Sequence, residues 1–81
     1  MKTEIVMPRF GAKMQAGEIL EWKVAVGDHV EEDDELCEVK TEKNNAVVES
    51  LYTGTILEIT AQVGDSIPVG GVIGYIDAED E

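Results

Sequence analysis

Eighty-one residues leave room for one domain and one core, and a domain this short buries only about 60% of the surface its unfolded chain exposes, which leaves no volume for an enclosed active site. Eighteen Asp and Glu against six Lys and Arg give a net charge of −12, which repels phosphate backbones and anionic headgroups, so neither nucleic acid nor membrane is an expected partner. A single cysteine excludes an internal disulfide and any Cys-based zinc cluster, and no apolar run approaches the ~20 residues of a membrane helix or the apolar stretch of a signal peptide.

In chain order, the patterning predicts strands over Ile5–Met7, Glu18–Lys23, Leu36–Thr41, Ala46–Glu49, Thr55–Thr60 and Val72–Ile76, and no segment holds a helical period. Pro8 and Pro68 are expected to close strands at or near sheet edges, because neither can donate to a ladder. With four aromatic residues, Phe10, Trp22, Tyr52 and Tyr75, the core rests on Val, Ile, Leu and Ala, the side chains that fill sheets.

The chain repeats itself. Displaced by 37 positions, Gly17–Val30 falls on Gly54–Ile67 with seven identities in fourteen: Gly17, Ile19, Leu20, Glu21, Val26, Gly27 and Asp28 recur as Gly54, Ile56, Leu57, Glu58, Val63, Gly64 and Asp65. Gly27-Asp28 and Gly64-Asp65 read as equivalent turns, since Gly reaches positive φ freely and Asp can bond its own backbone. Gly17 and Gly54 are placed with them as structural turn positions. Two quasi-equivalent sets of about four strands imply an all-β flattened barrel, or barrel-sandwich hybrid, with a pseudo-twofold axis. The domain is expected to span residues 1–77, with 78–81 an acidic tail or the start of a linker.

One hairpin stands outside the repeat. Leu36–Thr41 and Ala46–Ser50 mirror each other about Lys43, which pairs Val39 with Val47 and Leu36 with Ser50. Its tip, Thr41-Glu42-Lys43-Asn44, lacks Gly, so Asn44 or Asn45 is expected in the left-handed region. Lys43 then projects into solvent.

Catalytic groupings are missing from the pattern. His29 falls in a repeated turn opposite Ser66, and no Ser or Cys has a partner at a recognisable spacing. Glu31–Glu35 lacks the Gly-punctuated spacing of a calcium loop, so no metal is expected. Cys37 reads as a packing residue in a strand, Trp22 as core or a half-buried wall.

The ordered set Met7-Pro8-Arg9-Phe10-Gly11 through Met14, Gly17-Glu18-Ile19 with Trp22, Gly27-Asp28-His29-Val30, and Glu38-Val39-Lys40-Thr41-Glu42-Lys43 with Gly54 eleven residues on resembles the lipoyl domain of dihydrolipoyl acyltransferases. The likeness runs from about Thr3 to Ile76. It implies that Lys43 carries lipoic acid as an N6 amide, with Glu42 and Asn44 as flanking recognition positions, and that the domain is a non-catalytic carrier. The implied partners are a lipoate ligase or lipoyl transferase, a thiamine-diphosphate-dependent decarboxylase, an acyltransferase core and dihydrolipoyl dehydrogenase. In that family the loop after the first strand lies near the modified hairpin, which makes Arg9, Phe10 and Lys13 the candidates for partner recognition.

The chain departs from the family pattern at Lys40, Glu42 and Asn44, where Glu, Asp and Ala are usual, and at Asp33-Asp34, where Gly-Asp is usual. Biotinyl domains share the fold but flank their lysine with methionines. A biotin carboxyl carrier domain and an unmodified interaction module are the alternatives. The expected location is soluble and intracellular, the cytoplasm of a bacterium or the mitochondrial matrix of a eukaryote.

Overall fold

The computed structural model describes residues 1–79, which form eight strands: β1 Lys2–Val6, β2 Ala16–Trp22, β3 His29–Val30, β4 Glu35–Lys40, β5 Asn45–Glu49, β6 Gly54–Ile59, β7 Ser66–Pro68 and β8 Val72–Ala78. They build two four-stranded antiparallel sheets, ordered β1-β8-β6-β3 and β5-β4-β2-β7. The sheets lie face to face, and no strand pairing closes them into a barrel. The six strands expected from the sequence are all present. The two added ones, β3 and β7, are too short for alternation to register, and both lie at sheet edges.

The two orders are the same order. Advancing 37 residues takes β2 to β6, β3 to β7 and β4 to β8, and these trios occupy matching places in the two sheets. Even the irregularities repeat: β2 carries a bulge between Ile19 and Glu21, and β6 carries one between Ile56 and Glu58. A bulge adds one residue to one strand and so switches which side chains face inward. The core therefore takes Ile19 and Ile56 from identical positions, with Val30, Leu36, Val39, Val48, Ile73 and Ile76 between the sheets.

Both proline expectations follow the edge logic, with Pro8 just beyond edge strand β1 and Pro68 ending edge strand β7. Gly17 and Gly54 are corrections. Neither lies in a turn; each is buried inside a strand, where the constraint is close approach rather than φ. A Cβ on Gly17 would press on Met7 and Met14, and one on Gly54 would strike the backbone carbonyl of Asp77. Gly27 and Gly64 do occupy turns, each with φ of 95°.

β8 runs through Ala78, which faces Gly54 across the sheet, and Glu79 donates its N–H to the Thr53 carbonyl at 2.8 Å. Of the expected tail, Ala78 thus ends an interior strand and Glu79 is bonded to the residue before β6. Asp80 and Glu81 lie outside the described residues.

Candidate functional site

The β4–β5 hairpin sets the site. Its register is Lys40↔Asn45, Val39↔Ala46, Glu38↔Val47 and Cys37↔Val48, one residue off the mirror expected about Lys43, so the centre of symmetry falls between Glu42 and Lys43. Four tip residues, 41–44, separate the paired Lys40 and Asn45, where a mirror centred on one residue needs an odd number; a bulge between Glu35 and Cys37 adds a second offset at the far end, where Glu35 meets Glu49, and turns both Leu36 and Cys37 into the core.

The tip is held by a side chain rather than by a left-handed residue. The Thr41 hydroxyl donates to the Asn44 carbonyl at 2.6 Å and accepts from the N–H groups of Lys43 at 3.4 Å and Asn44 at 3.3 Å. The Thr41 N–H adds a bond to the same Asn44 carbonyl at 3.0 Å. With those donors satisfied locally, neither Asn44 nor Asn45 takes positive φ, contrary to expectation. Among the described residues the one non-glycine that does is Asp33, at 76°, inside a tight acidic turn where the Asp34 carboxylate accepts from the Glu31 N–H. Hydroxyl capping of a turn is a known habit of Ser and Thr, and Thr41 is the signal the sequence offered and the pattern reading passed over.

Lys43 is exposed, and among the described residues its ammonium has no ion pair or hydrogen bond. Beside it runs a groove of about 440 Å³ lined by Phe10, Gly11, Ala12, Lys13, Met14 and the four tip residues Thr41–Asn44. The loop after β1 and the hairpin tip are thus one surface. Phe10 stands at its edge, 42% exposed.

Arg9 takes a different part from Phe10 and Lys13. Its guanidinium donates to the carbonyls of Ala12 at 3.1 Å and Met14 at 3.0 Å, so its donors are turned inward to clasp the loop. Met14 is buried, anchoring the loop's far end, and its sulfur accepts from the Phe10 N–H at 3.2 Å. The loop wall of the groove is therefore braced at both ends.

Residues outside this surface have ordinary structural surroundings. His29 lies in β3, where its Nε2 meets a Glu79 carboxylate oxygen at 3.0 Å. Cys37 is fully buried, and burial pushes its thiol up to about 12. Trp22 donates its indole N–H to the Ala61 carbonyl at 2.8 Å. No group of three or more His, Cys, Asp or Glu able to hold a metal occurs among the described residues.

The two-sheet scaffold thus presents, at the end of its β4–β5 hairpin, an exposed lysine with no polar partner among the described residues. The chain belongs to the biotin/lipoyl attachment family: the family model described as "Biotin-requiring enzyme" matches residues 3–76. The dihydrolipoyllysine-residue acetyltransferase component of the pyruvate dehydrogenase complex of Corynebacterium glutamicum is 42% identical over 81 residues, 100% of this chain and 12% of that protein. The lipoamide acyltransferase component of the branched-chain alpha-keto acid dehydrogenase complex of Bacillus subtilis is 41% identical over 76 residues, covering 94% of this chain and 18% of that protein. The solution structure of the lipoyl domain of the 2-oxoglutarate dehydrogenase complex from Azotobacter vinelandii matches with a TM-score of 0.74 at 25% identity, covering 95% of this chain and 98% of that one. The chain thus spans only 12% and 18% of the length of these two curated relatives.

Proposed function

We propose that this chain is the lipoyl carrier domain of an acyltransferase component of a 2-oxo acid dehydrogenase complex, with Lys43 as the residue that takes lipoic acid in amide linkage. The observation that carries the reading is the tip geometry: an exposed lysine without a polar partner, on a turn fixed by Thr41, in a family whose members present a lysine for attachment. The similarity to lipoyl-bearing proteins over nearly the whole chain supports lipoate over biotin. So do Glu42 and Asn44 beside the lysine, where the resemblance to biotinyl domains calls for methionine.

The residues fit the group. An amide at Lys43 needs an amine open to a second protein, and the tip gives one with no carboxylate in contact among the described residues. Lys43 is exposed on the tip, whereas lysines that serve as nucleophiles unaided are buried. A separate ligase or transferase must therefore bring an activated lipoyl group to it. When bound, lipoic acid supplies a dithiolane on a long flexible arm, which carries an acyl group and reducing equivalents between a thiamine-diphosphate decarboxylase, an acyltransferase core and dihydrolipoyl dehydrogenase. The chain's own work is to orient: Thr41 fixes the tip, Arg9 and Met14 fix the loop beside it, and the tether raises the local concentration of the cargo at each partner. By itself the domain is a carrier and not an enzyme.

Intact-mass and peptide mass spectrometry of the chain expressed in cells supplied with lipoate or biotin tests this. One lipoyl group on Lys43 is expected, lost in Lys43→Ala and kept in Lys40→Ala. Biotin on Lys43 would make it a biotin carrier, and no addition under either supply would make it an unmodified interaction module.

A further inference from the structure

An edge strand leaves a row of backbone donors and acceptors open, and folds blunt such rows with short strands, lysine, proline or bulges. Three of the four edges here are blunted in this way. β3 has two residues, and β7 has three and ends in Pro68. β1 carries Lys2, a bulge between Ile5 and Val6, and Pro8 just beyond its end. β5, Asn45-Ala46-Val47-Val48-Glu49, has five residues with no lysine and no proline, and the one irregularity in its pairing lies on β4.

The bonds that flank β5 fix which of its backbone groups face outward. Before it, the Asn44 carbonyl accepts from the Thr41 N–H; after it, the Ser50 N–H donates to the Asp34 carbonyl at 2.8 Å and the Ser50 carbonyl accepts from the Asp33 N–H at 2.7 Å. Backbone direction alternates along a strand. Residues 44, 46, 48 and 50 therefore turn their groups toward β4, and Asn45, Val47 and Glu49 turn theirs away from the sheet. Among the described residues those outward groups have no hydrogen bond. Side chains alternate between the faces in the same way. Val48 is buried and Ala46 shares its inner face, while Asn45, Val47 and Glu49 share the outer face with Lys40 and Glu35, which stand opposite Asn45 and Glu49.

Two charges on that outer face lack partners. Glu49 lies opposite a like charge, an unfavourable pairing across strands, and Lys23 is 3.7 Å from Glu35 rather than from Glu49. Neither Glu49 nor Lys40 has an ion pair among the described residues. They stand at opposite ends of the hairpin, the cation toward the tip and the acid away from it. A second β5 laid antiparallel along the first and centred on Val47 answers both. Asn45 then faces Glu49 of the second copy, Val47 faces its own copy, and Ala46 faces Val48 on the inner side, so no like charges meet. Lys40, Asn45 and Glu49 of the second copy fall in one row across three strands. The lysine and that glutamate are two strand spacings apart, about 9.6 Å between Cα atoms, within reach of two long side chains over the short Asn45. Glutamate, the residue usual at position 40 in the lipoyl pattern, would set acid toward acid in the same row.

We propose that the β5 edge is a self-association face: two copies of this chain join β5 to β5 antiparallel about Val47, across an isologous twofold contact, with Lys40 and Glu49 as the residues that set its register. Asn45, Val47 and Glu49 each exchange both backbone bonds with the residue opposite. The two hairpin tips point to opposite ends of the pair, and the contact stands whether or not Lys43 is modified. At physiological salt, charges are screened over about 8 Å, so the groups in the row decide the contact and not the net charge of −12. One strand pair covers less than the ~1,200–2,000 Å² of a stable interface, so the association is weak, with a dissociation constant near ~1 mM.

Sedimentation equilibrium and an amide NMR dilution series of the 81-residue chain at about 0.15 M salt test this. Between ~0.05 and ~2 mM the chain should pass from monomer toward dimer, with concentration-dependent shifts and slowed exchange at the amides of Asn45, Val47 and Glu49. Val47→Lys sets like charges on the twofold axis at a residue whose N–H does not bond β4, so it should weaken the dimer about tenfold or more while the urea midpoint stays in place. Lys40→Glu and Glu49→Lys should each weaken it about tenfold, and the two together, which exchange the charges of the row, should return it to within about threefold of the native chain. Glu49→Lys also makes the chain less acidic, so tighter association in that variant would show that overall repulsion governs and would overturn the proposal. A chain that stays monomeric throughout, shifts confined to β1 or β3, or a double variant as weak as the single ones would overturn it equally.

Discussion

Gly54 and Gly27 exclude a side chain for opposite reasons, and the difference can be measured. At Gly27 the space around a Cβ is open and only φ objects, a conformational cost of about 1 kcal/mol. At Gly54 the Cβ meets the Asp77 carbonyl, backbone of the neighbouring strand, and overpacking of that kind costs ~1–3 kcal/mol or more because the strands must part. Urea denaturation should show Gly54→Ala losing clearly more stability than Gly27→Ala or Gly64→Ala; equal losses would mean that the β6–β8 pairing yields easily. Cys37 adds a pH dependence. Burial moves its thiol from 9.0 to about 12, so above pH 9 the unfolded chain releases a proton that the folded chain retains. The folded state then binds more protons, and stability falls as pH rises through that window. Cys37→Ala should remove this component, so that the stability gap between the native chain and the variant is flat below about pH 9 and moves against the native chain above it. A gap that stays flat to pH 11 would show that the thiol is not held protonated by the fold.

The hairpin is the element on which attachment depends, and its shape hangs on one hydroxyl. Thr41→Val keeps the branched side chain and deletes the bonds to Lys43, Asn44 and the Asn44 carbonyl. Hydrogen bonds at an exposed turn contribute about 1 kcal/mol net, so the urea midpoint should move little. Misplacing a reacting group by about 1 Å can cost ~100-fold, so attachment at Lys43 should slow by about tenfold or more in a ligation time course. A variant that loses stability but is modified at the native rate would show that the ligase does not need the shape of the tip. The existence of this hairpin was legible from the flanking apolar runs, but its register was not. A mirror centred on Lys43 needs an odd number of residues between the paired strand ends, whereas four, 41–44, separate Lys40 from Asn45, and the bulge that buries both Leu36 and Cys37 adds a second offset with no mark in composition. The tip's reliance on Thr41 was equally hidden, since a hydroxyl that caps a turn and one that faces solvent look alike in sequence. Lys43 itself stood out through the family resemblance. By physics alone it is a lysine on an exposed turn.

At the scale of the whole molecule the most legible feature was the repeat, because it is written in identities and not in periodicity. The structure turns it into reciprocal bonding between the halves. The Gly27 N–H donates to the Ile56 carbonyl and the Ile56 N–H to the Asp28 carbonyl; 37 residues away, Gly64 donates to Ile19 and Ile19 to Asp65. Each turn thus ties its own half to a central strand of the other half. Each is also closed by its aspartate, with the Asp28 carboxylate accepting from the Ala25 N–H at 2.9 Å and the Asp65 carboxylate from the Gln62 N–H at 2.9 Å. This pairing makes a symmetric prediction. Asp28→Ala and Asp65→Ala each remove one local acceptor at equivalent exposed turns, so each should cost about 1 kcal/mol, with the two losses equal within measurement. Because the turns brace different sheets, the double variant should lose the sum to within about 0.5 kcal/mol. It should still unfold in a single transition, since Ile19 and Ile56 lie in one shared core and neither half can bury its inner face alone. Chemical denaturation followed by tryptophan fluorescence and far-UV circular dichroism checks this, because Trp22 reports one half while the backbone signal reports both. Two separated transitions would mean that the halves are independent units which merely dock, and unequal single-variant losses would mean that the repeat is a likeness of sequence without a likeness of load.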